Sequence, residues 1–197
     1  PRIRPGERRP GITGIPGKTG VVYTLDRRTG QFLWARPTVK QNVVGKIDGR
    51  TGEVTVNPES VFHATGDSAL ICPGVTGGRN WPAGAYSPQT GAMYFPLQNL
   101  CSRVTVSISS RTERSAYGFR TSMELADGTR DIGSLHAIDV RTGRSPWVRQ
   151  QRAATLSVAT TGGGLVFGGD VAGRFRAFDA RNGEGLWETN LGAPVTG

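Results

Sequence analysis

The sequence predicts an all-β fold, a β-propeller segment of about three to four four-stranded blades. Three observations predict it. The first is an internal repeat, which decides architecture before composition does. It reads Tyr-Thr-Leu-Asp-Arg-Arg-Thr-Gly-Gln-Phe-Leu-Trp at residues 23–34. It returns as His-Ala-Ile-Asp-Val-Arg-Thr-Gly-Arg-Ser-Pro-Trp at 136–147 and as Arg-Ala-Phe-Asp-Ala-Arg-Asn-Gly-Glu-Gly-Leu-Trp at 176–187. The second is spacing: Asp139 and Asp179 lie 40 residues apart, the size of one propeller blade (~40–45 residues). The third is that no amphipathic helix longer than two turns can be drawn, in a chain with 29 Gly and 12 Pro.

Each repeat has a physical reading. The residues before Asp26, Asp139 and Asp179 are strand-like. An Asp at a strand end accepts a hydrogen bond from an N–H two residues on, which starts a turn. Gly30, Gly143 and Gly183 supply the φ > 0 of a tight hairpin. The returning strand carries Trp34, Trp147 or Trp187. A large apolar ring with one N–H donor, fixed at one place in every hairpin, suits a seam between neighbouring sheets. Partial copies sit at Asp48 to Gly52, where Val56 stands in the Trp position, and at Ser87 to Gly91.

In chain order, residues 1–16 are Pro- and Arg-rich, with one irregular strand expected near 11–15. Residues 17–34 form the first hairpin, and 35–67 are loop-rich around a short hairpin at 48–56. Residues 68–79 read as irregular, 80–97 as a hairpin, and 99–130 as a polar insertion between strands. Residues 133–147 and 155–187 give the last two hairpins, with Leu165 to Asp170 an inner strand ending in a tight turn. Closed propellers need roughly 4–8 blades. The 197 residues hold three or four, and the chain opens at Pro1 without Met. A segment of a longer protein is therefore expected, all of it within one propeller domain.

The net charge is +9, carried by 21 Arg and 3 Lys against 15 acidic residues. Apart from a cluster at Arg2, Arg4, Arg8 and Arg9, the cations are spread over turns. Nucleic-acid binders concentrate charge on one face, so a solvated surface is expected and no nucleic acid. No apolar run approaches the ~20 residues of a membrane helix, and membrane association is left open. His63 and His136 are too far apart in sequence for a zinc motif. Neither a nucleophile elbow nor a phosphate loop is present, and Thr161 to Gly164 is a turn with no helix after it. Cys72 and Cys101 are either two buried thiols or a disulfide made in an oxidising compartment.

Three further segments carry a resemblance. They are Pro16-Gly17-Lys18-Thr19-Gly20-Val21-Val22-Tyr23, then Cys72-Pro73 followed by Gly78-Arg79-Asn80-Trp81, and Leu165 to Asp170 with Gly173-Arg174-Phe175. With the repeats, they resemble the eight-bladed tryptophan-docking propellers of pyrroloquinoline-quinone (PQQ)-dependent alcohol and methanol dehydrogenases. The resemblance implies an oxidoreductase in which an Asp takes the hydroxyl proton of an alcohol and hydride passes to the quinone. Electrons then go to a cytochrome c or to quinone, and calcium or a lanthanide assists. It implies a periplasmic location and, as in some members, a disulfide joining Cys72 and Cys101. It makes Lys18, Asn80 and Trp81 cofactor contacts. Lys18 would stabilise negative charge on the quinone oxygens, and Asn80 would orient its polar edge. Trp81 either walls that pocket or packs the core. The resemblance places the catalytic Asp before Pro1 and the metal ligands further upstream, so no catalytic or metal residue is expected here. Asp26, Asp139, Asp170 and Asp179 are turn residues and His136 a packing one. The other reading is a non-catalytic propeller, an envelope-assembly scaffold or an extracytoplasmic sensor. It accounts for the repeats and gives Lys18 and the Cys72 to Asn80 segment nothing to do.

Overall fold

A computed structural model describes residues 9–14, 16–107 and 118–195. Arg2, Arg4 and Arg8 of the basic cluster, Ile15, and the middle of the 99–130 insertion lie outside them. Sixteen strands and one short 3-10 turn, Pro58–Ser60, make up the regular structure of the described residues. The first blade is β1 (Gly11–Thr13), β2 (Val21–Asp26) and β3 (Phe32–Pro37), in that spatial order. A separate hairpin follows, β4 (Val44–Ile47) and β5 (Val54–Val56). The second blade has the order β12 (Trp147–Gln151), β11 (Gly133–Asp139), β8 (Ala92–Gln98), β7 (Ala85–Ser87). The third runs β13 (Thr155–Thr160), β14 (Leu165–Asp170), β15 (Arg174–Asp179), β16 (Gly185–Asn190) in chain order.

The insertion lies between β8 and β11, which pair with each other directly. It is not the unpatterned stretch its polarity suggested. It holds β9 (Leu100–Val106) and β10 (Phe119–Leu125), which join β6 (Ser68–Ile71) in a fourth sheet of order β10-β9-β6. Every residue of β10 is exposed, so alternation of apolar and polar residues had nothing to register. Likewise β6 falls inside 68–79, which read as irregular; its strand character comes from pairing with β9.

The turn chemistry follows from the repeat. Asp26 Oδ1 accepts the Arg28 N–H, Asp139 Oδ1 accepts the Arg141 and Thr142 N–H groups, and Asp179 Oδ1 accepts the Arg181 N–H. Asp48 does the same with Arg50 and Thr51, and the Thr51 and Arg50 N–H groups hold its carboxyl down to about 2. These carboxylates are spent on turns.

The blades meet through indoles. A Cβ added to Gly143 would fall 2.5 Å from the Trp34 ring, and one added to Gly183 would fall 2.6 Å from the Trp147 ring. Each Trp thus lies on the turn glycine of the next repeat. Trp147 is buried, and its Nε1–H donates to the Ala180 carbonyl at 3.1 Å. Tyr94, fully buried, donates to the same carbonyl at 2.8 Å and lies 5.7 Å from the Trp147 ring. Around this pair Leu135, Val158, Val166 and Phe178 close the core between the second and third blades. Val22, Trp34, Phe95, Leu97 and Ile138 do so between the first and second.

Trp187 departs from the expected seam. It is 51% exposed, touched edge-on by Phe175 and open to a pocket of about 380 Å³ lined by Leu165, Phe167, Ala177 and Leu186. No further repeat covers it among the described residues. At the other end, the Gly30 turn has nothing within 4 Å of an added Cβ. Replacing Trp147 by Ala in this chain is expected to cost about 3–5 kcal/mol, while Trp187→Ala should stay within about 0.5 kcal/mol. Urea unfolding of the two variants checks the contrast.

Candidate functional site

Two non-repeated segments meet between the first and second blades. One is the turn before β2. The Gly20 N–H donates to the Gly17 carbonyl at 2.9 Å, so Lys18 and Thr19 form the tip. Gly20 has φ +68°, and a Cβ there would fall 2.6 Å from Val39 Cγ2. The turn therefore requires glycine at this position.

The other segment is the loop at 72–81. The Cys72–Cys101 disulfide ties its start to β9. Asn42 holds the same end: its Oδ1 accepts the Cys72 N–H at 2.8 Å and its Nδ2 donates to Leu70 at 2.7 Å. The Gly74 N–H reaches the Leu100 carbonyl at 2.8 Å, and the Val75 N–H reaches Ser102 Oγ at 3.0 Å. Further on, the Gln98 N–H reaches the Gly78 carbonyl at 2.8 Å.

The two segments are clasped together. Lys18 Nζ donates to the Val75 carbonyl at 3.0 Å, and the Lys18 carbonyl accepts the Gly78 N–H at 3.0 Å. Gly77, at φ +80°, lies so close that a Cβ would meet Lys18 Cα at 2.7 Å. Lys18 is exposed, at the tip of a turn rather than within the strand that follows. Asn80 is also exposed, and so is Trp81 at 64%. Pro82 is buried beside Trp81, while the Trp81 indole packs against no core cluster of the described residues. The structure brings the turn carrying Lys18 against the loop carrying Asn80 and Trp81.

Arg79 is the residue that sequence reasoning passed over. It is 8% exposed, and its guanidinium lies over the Phe95 ring, 5.3 Å from the centroid. Its Nε is buried without a hydrogen-bond partner among the described residues, and burial pulls its pKa below the usual arginine value. A cation–π contact is worth about 1–2 kcal/mol, whereas an uncompensated buried charge costs several kcal/mol. The signal in the sequence was an absence of acids: from Ser68 to Thr112 there is no Asp or Glu.

Asp170 serves its turn. Its Oδ1 accepts the Ala172 and Arg174 N–H groups at 2.9 and 3.0 Å, and its Oδ2 pairs with Arg176 Nη1 at 2.8 Å. His136 is buried in β11 with Nε2 3.1 Å from Ser134 Oγ. Among the described residues no group of three or more His, Cys, Asp or Glu is placed to hold a metal.

The comparisons with known proteins bear on this geometry. No family model matches the chain. Over 184 residues it is 31% identical to the lanthanide-dependent methanol dehydrogenase of Methylacidiphilum fumariolicum, covering 91% of this chain and 30% of that protein. A europium-containing methanol dehydrogenase superposes on it with a TM-score of 0.86 at 29% identity, over 98% of this chain and 34% of that one. The chain belongs to the quinoprotein alcohol dehydrogenase family. Lupanine 17-hydroxylase (cytochrome c) of a Pseudomonas species is 33% identical over 181 residues, 90% of this quinoprotein chain and 26% of that enzyme. The chain thus spans about a quarter to a third of the length of these relatives.

Two outcomes follow from the site's chemistry. Burial lowers the His136 pKa to about 4, so the folded chain stays neutral there where the unfolded chain takes a proton. The unfolded state binds more protons between about pH 6.5 and 4. Stability is therefore present above pH 6.5 and falls on acidification, by about 2–3 kcal/mol at pH 4.5. Urea unfolding across pH 4.5–7.5 is expected to show this slope in the wild type and a flatter one in His136→Gln. Reducing the Cys72–Cys101 disulfide, which spans 29 residues, is expected to lower stability by about 3–4 kcal/mol, read as a shift in the denaturant midpoint.

Proposed function

We propose that this chain is part of the propeller of a PQQ-dependent dehydrogenase that oxidises an alcohol or similar hydroxyl substrate. The observation that carries the reading is the clasp between the Lys18 turn and the disulfide-tied 72–81 loop, in a chain homologous to alcohol and methanol dehydrogenases. The scaffold or sensor reading gives that clasp no task, and the relatives favour the enzyme. All of residues 1–197 fall in one propeller domain under this proposal, with 99–130 inserted between paired strands. Support for the insertion comes from the direct pairing of β8 with β11.

The residues present fit the cofactor. Lys18 is an exposed cation whose one bond is to a backbone carbonyl, Asn80 is an exposed amide, and Trp81 is an exposed indole. Together they offer charge, donors and an aromatic face to a flat, polar, anionic ring. Lys18 would hold the carbonyl edge and meet negative charge as it grows there. Asn80 can both donate and accept, which fixes orientation. Trp81 would shield one side from water. When bound, the quinone supplies the hydride-accepting chemistry that no side chain can.

The metal, calcium or a lanthanide, would be held by residues other than those described, among which no cluster of His, Cys, Asp or Glu is placed to bind it. One relative carries lanthanide in its name and another cytochrome c. A cytochrome c or quinone is accordingly the proposed electron acceptor. The disulfide supports a periplasmic location, since such bonds persist in oxidising compartments.

The test is reconstitution of the intact protein with quinone and metal, with and without Lys18→Ala. Turnover is expected to fall about 10²-fold. Wild-type turnover in the variant would remove Lys18 from the site.

A further inference from the structure

We propose that Arg79 is the cationic half of an ion pair whose carboxylate lies outside the described residues, so that the 72–81 loop carries a carboxylate-binding site. This goes beyond the proposed function, in which Arg79 has no part.

The argument rests on an unbalanced charge. Arg79 is 8% exposed, and no carboxylate among the described residues is paired with it. A guanidinium cannot escape burial by losing its proton at any ordinary pH. The same fold shows how a second inward-lying guanidinium is treated. Arg176 meets Asp170 at 2.8 Å and Glu188 at 2.5 Å, with Gln151 Oε1 at 3.1 Å. Among the described residues Arg79 has only the face of Phe95, which attracts a cation without supplying a countercharge.

The open valence has a shape. Nε is the orphaned donor, and Nε with an adjacent Nη forms the fork that a carboxylate takes in bidentate fashion. A neutral carbonyl would satisfy one donor and leave the charge. The sequence from Ser68 to Thr112 contains no Asp or Glu, and no described carboxylate from elsewhere in the chain pairs with Arg79. The loop itself is fixed by the disulfide and by the Gly74, Val75 and Gly78 hydrogen bonds, so Arg79 has little freedom to swing out to solvent. The carboxylate has two possible sources: a bound acid, of which PQQ (a tricarboxylic acid) is the natural probe, or an acidic side chain from a further stretch of the protein.

The experiment uses the intact protein as wild type, Arg79→Gln, Arg79→Met and Arg79→Lys. Binding of PQQ and of its trimethyl ester is titrated by tryptophan fluorescence, and ligand-free stability is measured by urea unfolding. A ligand carboxylate predicts that wild type prefers the acid over the ester by at least about tenfold, and that Arg79→Gln loses the preference. A side-chain carboxylate predicts an unchanged preference, with ligand-free stability lost in Arg79→Met and partly recovered in Arg79→Lys. The proposal is overturned if the preference is unchanged and Arg79→Met is as stable as wild type, or if Met and Lys destabilise equally. Failure of acid and ester alike to bind would count against the quinone reading, while the pairing of Arg79 would still be decided by the stability series.

Discussion

An indole lying on a glycine that has no room for a Cβ holds each blade to the next. The hairpin turn needs φ > 0 at that position, and Gly143 and Gly183 adopt +67° and +71°. The neighbouring blade needs a flat surface there for Trp34 or Trp147. One residue type meets both demands, which is why the repeat keeps Thr-Gly or Asn-Gly and Trp at fixed spacing. The packing around Tyr94, Trp147 and Ala180 follows from this contact, because the Ala180 carbonyl accepts from both rings. Large aromatic burial with each polar handle satisfied makes a seam that is strong and specific in register.

The seam between the first two blades also positions the chemistry. β2 and β8 contribute Val22, Phe95 and Leu97 to one cluster, and the turn before β2 is thereby set against the loop before β7. The disulfide and Asn42 then restrict that loop. What results is an exposed cation, Lys18, clasped to a loop that carries a buried one, Arg79, and that loop lies in a stretch, Ser68 to Thr112, without acids. Such an arrangement favours an anionic ligand on charge alone, independently of any relative.

Much of the architecture was legible in the residues. The Asp–Thr-Gly–Trp spacing placed the hairpins at β2–β3, β11–β12 and β15–β16, and the short hairpin at Asp48 appears as β4–β5. The fourth sheet was not legible. β6 reaches across the whole 72–81 loop and the second blade's first hairpin to pair with β9, and the fully exposed β10 has no buried face to pattern. Trp187 was read as a seam residue by repetition, yet a repeat cannot say whether its docking partner is present. At the site, Lys18 stood out as one of 3 Lys at the head of a strand. Its contact with Val75 could not be foreseen, since 57 residues separate them. Arg79 was hidden among 21 arginines; only burial distinguishes it, and burial is a property of the fold.

The most direct test of indole-on-glycine docking is a double-mutant cycle. Gly183→Ala is made in wild type and in Trp147→Ala, with Gly30→Ala as the control for backbone cost, because no described atom lies within 4 Å of a Cβ built at Gly30. The account expects Gly183→Ala to destabilise wild type well beyond the Gly30 control, and to cost no more than that control once the indole is gone. A coupling of about 1–3 kcal/mol is anticipated. Additivity within about 0.5 kcal/mol would contradict the docking contact as the constraint that organises this fold.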